Sequence, residues 1–441
     1  MALSFDNILS LILGIFISLI VVFSPLEIVY PVIIFCFGLS LSIFFQSKKD
    51  CKFLFTIFIL AFLSRISLSL LLYNLVFLRN GTGLFGDGWC YNENGYSILQ
   101  VWLGGVKDIN VIAGHIRSIS PSGTLGSYDF WNAIVYYFTG KSPISVIFIN
   151  CLASSLTVIL VYHITKQLYN EKAAKISAIL TAFWFSLFTW SVQNLKEPLS
   201  VFLIAVLIWA ILRLKVKFRF YLLFLIILSS IALKELRMVS FLIFYAVIFP
   251  FSMVLFLWKK NRILFILLTV LMGLVIAMFV NNYLARFFPK NQNNFSLIEY
   301  IYKMRTYRAY GNTAFLSNLD ITNPAIFMFF APIALLVAWL APFPWQIGSL
   351  SQIAVIPEML LYYMLLPAMF SGWSFIMRHK VREGGIIIVY IFIMMLVLAF
   401  IEGNIGTLFR HRAMVLPFMF ILIGIGIVRY RTKNNGKISP I

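Results

Sequence analysis

The sequence predicts an all-α, polytopic transmembrane bundle, and three observations predict it. Of 441 residues, 61% are hydrophobic and only 11% are charged, whereas soluble domains carry about 25% charged residues. Apolar runs of about 20 residues recur from end to end, each matching the ~30 Å hydrocarbon thickness of a bilayer. Short basic links separate these runs. Such a composition excludes a water-soluble enzyme, a disordered chain and a secreted disulfide scaffold. An outer-membrane barrel would instead alternate over segments of about ten residues.

Reading along the chain, about 13 apolar runs qualify as candidate spans. They begin near Ile8, Ile28, Phe53, Pro143, Ile176, Leu199, Phe218, Val239, Ile263, Ala325, Ile353, Gly385 and Ala413. The N-terminus has no basic n-region and no A-x-A cleavage site, so the first run is expected to be a retained span, not a signal peptide. Lys and Arg total 35 against 15 Asp and Glu, a net charge of +20. In a membrane chain that excess sets orientation, so no nucleic-acid partner is expected. The basic links at Lys48–Lys52, Lys166–Lys175, Arg213–Arg219, Lys259–Arg262, Arg378–Arg382 and Arg429–Lys437 all fall to the cytoplasm. That assignment needs an odd number of crossings between the ninth span and Arg378. Pro324, Pro332, Pro342 and Pro344 interrupt the run from Ala325 to Leu340, so a re-entrant or broken segment is expected there. About 12 crossings then place both termini inside.

The chain is therefore expected to be a single integral membrane domain, residues 1–441, with large outer loops at 80–142 and 281–323. Tyr96–Val106 and Tyr128–Phe138 read equally as interfacial helices, with Trp102 and Trp131 at headgroup level, or as loop residues packed on the bundle. Four cysteines (Cys36, Cys51, Cys90 and Cys151) form no CxxC pair. Neither a disulfide framework nor a zinc site is expected, and no His/Asp/Glu spacing suggests another metal.

Chemistry is expected on the outer face, where links carry both signs of charge. Asp87 lies between Gly86 and Gly88, in a stretch expected to be free of secondary structure. Its carboxylate can serve as a general base, or the residues can form a simple Gly-Asp-Gly turn. Lys196-Glu197-Pro198 and Lys234-Glu235-Leu236-Arg237 end spans at the outer surface. Charges there usually pair or serve a site, although Lys196 can also snorkel. Glu402 begins a donor-rich block that ends Arg410-His411-Arg412. A basic cluster on the outer side wants an anion, and Arg forks match phosphate oxygens. Lys303, Arg305 and Arg308 form a second outer patch that fits anionic headgroups or a substrate.

These features resemble the GT-C superfamily of polytopic glycosyltransferases, in particular bacterial protein mannosyltransferases and aminoarabinose transferases that use polyprenyl-phosphate sugars. The likeness rests on Asp87-Gly88-Trp89-Cys90-Tyr91 outside a span, the small-residue span Phe148–Tyr162, and Leu168–Ala174. It continues through Lys196-Glu197-Pro198, Pro342-Phe343-Pro344-Trp345, Glu358 and Gly406–Arg412. Asp87 is followed by Gly88, where some relatives carry a second acid. The resemblance implies sugar transfer from a polyprenyl-phosphate-linked donor to a glycan, lipid or protein acceptor of the cell envelope, with inversion. It would occur at the outer face of a bacterial cytoplasmic membrane. Asp87 would be the base; Arg410, Arg412, Lys196, Lys234 and Arg237 would hold the donor phosphate. Tyr91, Glu197, Glu235, Arg305, Arg308, Glu402 and His411 would contact substrate. Some relatives use a divalent metal, for which this sequence offers no convincing ligand set, and no cofactor is expected. A repeat-unit polymerase or ligase is the alternative, and a lipid-sugar flippase ranks after it.

Overall fold

The computed structural model describes residues 50–77, 86–105, 126–245, 297–309, 313–316, 319–346 and 353–434. The spans expected near Ile8, Ile28 and Ile263 lie outside these residues, as does part of each large outer loop. The described secondary structure is helical, with one isolated β-bridge between Ala314 and Asn404. Five helices are long and apolar enough to cross a bilayer, or seven if each of two bent pairs counts as one span. The chain is a multi-pass, all-α membrane protein. It divides into two compact units, residues 1–164 with 175–237 and residues 165–174 with 238–441.

In the first unit α1 (Cys51–Leu72) runs on through a π-helical turn, Tyr73–Phe77. Then come α2 (Gly86–Trp102), α3 (Ser127–Thr139) and α4 (Pro143–Leu168). They are followed by α5 (Glu171–Phe183), α6 (Phe185–Ser191), α7 (Glu197–Val216) and α8 (Phe220–Leu236). Of the two stretches singled out in the first outer loop, Tyr128–Phe138 is helical, whereas Tyr96–Val106 is helical only to Trp102, at the end of a helix that begins at Gly86. The span expected from Ile176 is bent by 52° between α5 and α6. There Trp184 is extended, with ψ 125°, which interrupts the helical ladder.

α3 is polar on its inner side and apolar on its outer side. Tyr128, Asp129, Asn132 and Tyr136 are buried, whereas Phe130, Ile134, Tyr137 and Phe138 are exposed, Phe138 by 77%. That arrangement is inside-out for a helix in water and suits one bathed in lipid. Trp131 is partly buried and follows the second of its two readings, packing on the protein. It packs against the cluster of Leu99, Tyr128, Val135, Tyr136 and Val146 instead of standing at the surface, while Trp102 is exposed.

The second unit contains α9 (Met238–Ile243), α10 (Leu297–Arg308), α11 (Pro324–Leu340), α12 (Ile356–His379), α13 (Val381–Ile401), α14 (Ile405–Arg412) and α15 (Leu416–Asn434). Ala325–Leu340, expected to be re-entrant or broken, is not broken: it lies in one continuous helix. Pro324 occupies its first turn, where no intrahelical donor is lost. Pro342 and Pro344 lie beyond its end, so only Pro332 is internal. The actual break lies between α14 and α15, a bend of 61°.

α12 and α15 pack where two glycines meet the facing backbone, Gly372 against Leu422 and Gly426 against Ala368. A Cβ on Gly372 would lie 2.0 Å from the Leu422 carbonyl oxygen, and one on Gly426 would lie 1.8 Å from that of Ala368. Small residues let membrane helices approach to backbone contact, where dispersion replaces the missing hydrophobic drive. Gly426→Val should therefore push the helices apart and cost about 1–3 kcal/mol, the usual range for overpacking. Thermal unfolding in detergent checks it, with Gly126→Ala, whose Cβ would meet only an ordinary contact at 3.6 Å, as the control.

Candidate active site

Asp87 is not in an irregular loop. It is the second residue of α2, half-buried, in the turn where a carboxylate complements the helix dipole. α2 lies against α3 closely enough that a Cβ on Gly95 would fall 2.5 Å from the Asn132 Cβ. Across this seam Tyr136 Oη donates to Asn92 Oδ1 at 2.7 Å. Asp129 Oδ2 accepts the Gly126 N–H at 2.6 Å, and Oδ1 accepts from Asn94 Nδ2 at 3.2 Å. Burial pushes the Asp129 carboxyl up, while the Gly126 and Asn94 hydrogen bonds and the Lys196 charge pull it down. The Cys90 thiol is likewise pushed up, first by burial and then by the charges of Asp87 and Asp129. Both carboxylates thus act on one thiol in the first turns of α2.

The break between α6 and α7 meets this surface. Asn150, on α4, donates from Nδ2 to the carbonyls of Gln193 and Leu195, each at 2.8 Å. Tyr128 Oη donates to the same Leu195 carbonyl at 2.9 Å. Asn194 Nδ2 donates to Asn132 Oδ1 at 2.7 Å and makes a long 3.5 Å contact with the Gly88 carbonyl. A Cβ on Gly88 would stand 3.2 Å from the Asn194 carbonyl oxygen, so the chain beside Asp87 rests on this turn. Lys196, next along, places Nζ 6.0 Å from the centre of the Tyr91 ring. Tyr91 in turn meets Tyr128 edge-on at 4.8 Å.

The structure therefore gathers Asp87, Tyr91 and Lys196 around one polar turn. Glu197, the first residue of α7, is buried and pairs with Arg237 at 2.6 Å. Glu235 accepts from Ser127 Oγ at 3.4 Å, and Lys234 lies 3.8 Å from Glu235, both largely exposed. Sequence reasoning missed Tyr128, Asp129, Asn132, Asn150 and Asn194. Asn150 carried a usable signal, an amide inside an apolar run, where a polar group must find a partner. The others sit in aromatic or turn sequence that marks nothing.

The second unit holds the other basic residues. Glu402, with 1% of its side chain exposed, takes Arg308 and His411 Nδ1 on one oxygen, His411 at 2.8 Å. Thr407 Oγ1 donates to the other oxygen at 3.2 Å. Burial raises the Glu402 carboxyl, but the His411 and Arg308 charges and these hydrogen bonds outweigh it and hold it at about 2. Arg305 is buried, donates to the Glu402 carbonyl at 2.7 Å and to that of Phe315, and stacks on Phe330 at 4.6 Å. Burial draws its guanidinium down to about 10, against the pull of Glu402. Arg412 is 1% exposed. Its Nη1 donates to the carbonyls of Trp339 at 3.1 Å and Ala341 at 2.7 Å, at the C-terminus of α11. Arg410 is half-buried in the last turn of α14. Among the described residues no group of three or more His, Cys, Asp or Glu is placed to hold a metal ion.

Residues 128–284 match the family model of the dolichyl-phosphate-mannose-protein mannosyltransferases. The match supports a GT-C membrane glycosyltransferase. The matched stretch contains Asp129, Asn150, Asn194, Lys196, Glu197 and Arg237; Asp87 and Arg410 lie outside it. Among solved structures, the archaeal oligosaccharyltransferase AglB from Archaeoglobus fulgidus, in complex with an inhibitory peptide and a dolichol-phosphate, shares 14% identity with a TM-score of 0.38. The likeness covers 71% of this chain and 44% of that one, so the chain spans less than half the length of that protein. No curated protein matches it.

Glu402 yields a pH prediction. A carboxyl depressed to about 2 from an ordinary 4.5 stabilises the fold fully above 4.5, and that stability is lost as pH falls toward 2. The melting temperature should fall over this window. Glu402→Gln should lose about 3 kcal/mol at neutral pH, because a buried ion pair loses one partner, and should then show a shallower acid decline. Parallel melts of the two proteins between these pH values measure the difference.

Proposed function

We propose that the chain transfers a sugar from a polyprenyl-phosphate-linked donor to a cell-envelope acceptor, at the outer face of a bacterial cytoplasmic membrane. The observation that carries this reading is the contact of the Asp87–Gly88 turn with the turn bearing Lys196. It places a carboxylate and a cation on adjoining segments of one polar surface. The family match over residues 128–284 supports a lipid-linked donor, and the basic links support the orientation.

In this reading the acceptor hydroxyl gives its proton to Asp87, and its oxygen attacks the anomeric carbon from the side opposite the phosphate. The bond from that carbon to the phosphate oxygen breaks, the electron pair leaves with the phosphate, and the sugar inverts. Lys196 steadies the charge that develops on the leaving oxygen, the kind of fixed electrostatic assistance that dominates many transfer reactions. In the second unit, Glu402, Arg305 and Arg412 act through contacts within the protein.

Asp87→Asn keeps the shape of the side chain and removes the base, so transfer should fall by about 10²–10⁴ while donor binding persists. The assay uses a radiolabelled monosaccharide on a polyprenyl phosphate, with envelope membranes as acceptor, and reads both product and retained donor. Full activity in Asp87→Asn overturns the assignment, and growth of a long chain in place of single-sugar transfer overturns it in favour of a polymerase.

A further inference from the structure

Arg65 stands well inside the first apolar helix, α1, where a charge is expensive and should seek either water or an anion. It does neither. The residue is 1% exposed, so its guanidinium does not snorkel to an interface. Among the described residues its contacts are neutral: Nε donates to Ser191 Oγ at 3.0 Å, Nη1 donates to the Ala61 carbonyl at 3.0 Å, and the group lies 4.9 Å from the centre of the Phe188 ring. A buried fork of donors is thus given to one hydroxyl on another helix and one carbonyl on its own.

Ser191 is the last residue of α6, immediately before the turn that carries Lys196. Its Oγ donates to the Phe188 carbonyl at 2.7 Å while accepting from Arg65. Its own carbonyl accepts from Cys151 Sγ at 3.5 Å. Two residues further on, Asn150 begins to bind the turn's carbonyls. The turn is therefore held at its start by α1 and along its length by α3 and α4. If Arg65 served packing alone, an apolar chain of similar length would fill the space without burying a charge.

We infer that Arg65 is a positioning residue for transfer: through Ser191 it fixes where α6 ends, and so where Lys196 stands. The inference rests on the reading of the Lys196 turn as part of the active site. An ångström-scale shift of a reacting or charge-stabilising group costs up to about 10²-fold in rate. The expected loss is therefore in kcat, with the donor's KM little changed.

The test compares Arg65→Met, Ser191→Ala and the double variant, all full-length and in detergent. Arg65→Met should melt near the temperature of the unaltered protein, Ser191→Ala should melt lower because it leaves the buried guanidinium short of an acceptor, and rates are read below both transitions. Each single variant should lose roughly 10- to 100-fold in kcat, with KM for the labelled polyprenyl-phosphate sugar within about twofold. The double variant should be no slower than the worse single one, because the residues act as one pair. A second readout needs no catalysis: acetylation of Lys196 by an amine reagent, followed by mass spectrometry, should change several-fold in Arg65→Met, while Lys141 is unaffected. Multiplying losses in the double variant, or an unchanged Lys196 rate, overturns the inference. Full activity in Asp87→Asn with an altered Lys196 rate in Arg65→Met instead overturns the site reading and leaves the Arg65 anchor standing.

Discussion

When a membrane helix stops short, its last carbonyls lose their partners in a place that offers no water. The end of α6 creates that problem at Gln193 and Leu195, and the Asn150 amide and the Tyr128 hydroxyl answer it. Leaving such groups unbonded costs several kcal/mol in lipid, so the break persists only because α3 and α4 are in place to receive it. Once those side chains are committed, the position of Asn194, the seat of Gly88 and the reach of Lys196 follow. The polar surface around Asp87 is in this sense the by-product of satisfying the buried carbonyls of the turn that joins α6 to α7.

The same solvent logic explains α3. Its inward residues bond to one another and to α2, with Asp129 closing the first turn through Gly126, and its outward residues are aromatic and aliphatic. A soluble protein spends apolar side chains on its interior and leaves polar ones to water. Here lipid accepts the apolar face, which frees the interior for amides and carboxyls. Packing between α12 and α15 is likewise unlike that of a soluble core, since it depends on the smallness of Gly372 and Gly426 and not on large interlocking side chains.

The helical, membrane-spanning class was legible because it depends on length and composition, which a single sequence states directly. Asp87, Lys196 and Glu197 were legible because charges stand out against apolar surroundings. Proline misled in one place: Pro332 is carried inside α11, whereas the bends fall at Trp184 and between Arg412 and Leu416, the latter just ahead of Pro417. The turn between α6 and α7, by contrast, is held by tertiary hydrogen bonds that local sequence does not encode. The amides at positions 132, 150 and 194 were missed for a related reason. An asparagine is informative only once its partner is known, and Asn150 finds its partners more than forty residues away.

Arg410, His411 and Arg412 looked interchangeable as a run of letters, yet each lies in different company. Arg412 acts as the terminal stitch of α11, satisfying the Trp339 and Ala341 carbonyls some seventy residues upstream while resting on the rings of Tyr362 and Phe409. Removing it would let that distant helix unravel at its tip. Inactivity at this position therefore speaks first of a frayed scaffold, and an anion-binding role has to be sought at a neighbour whose loss leaves the stitch intact.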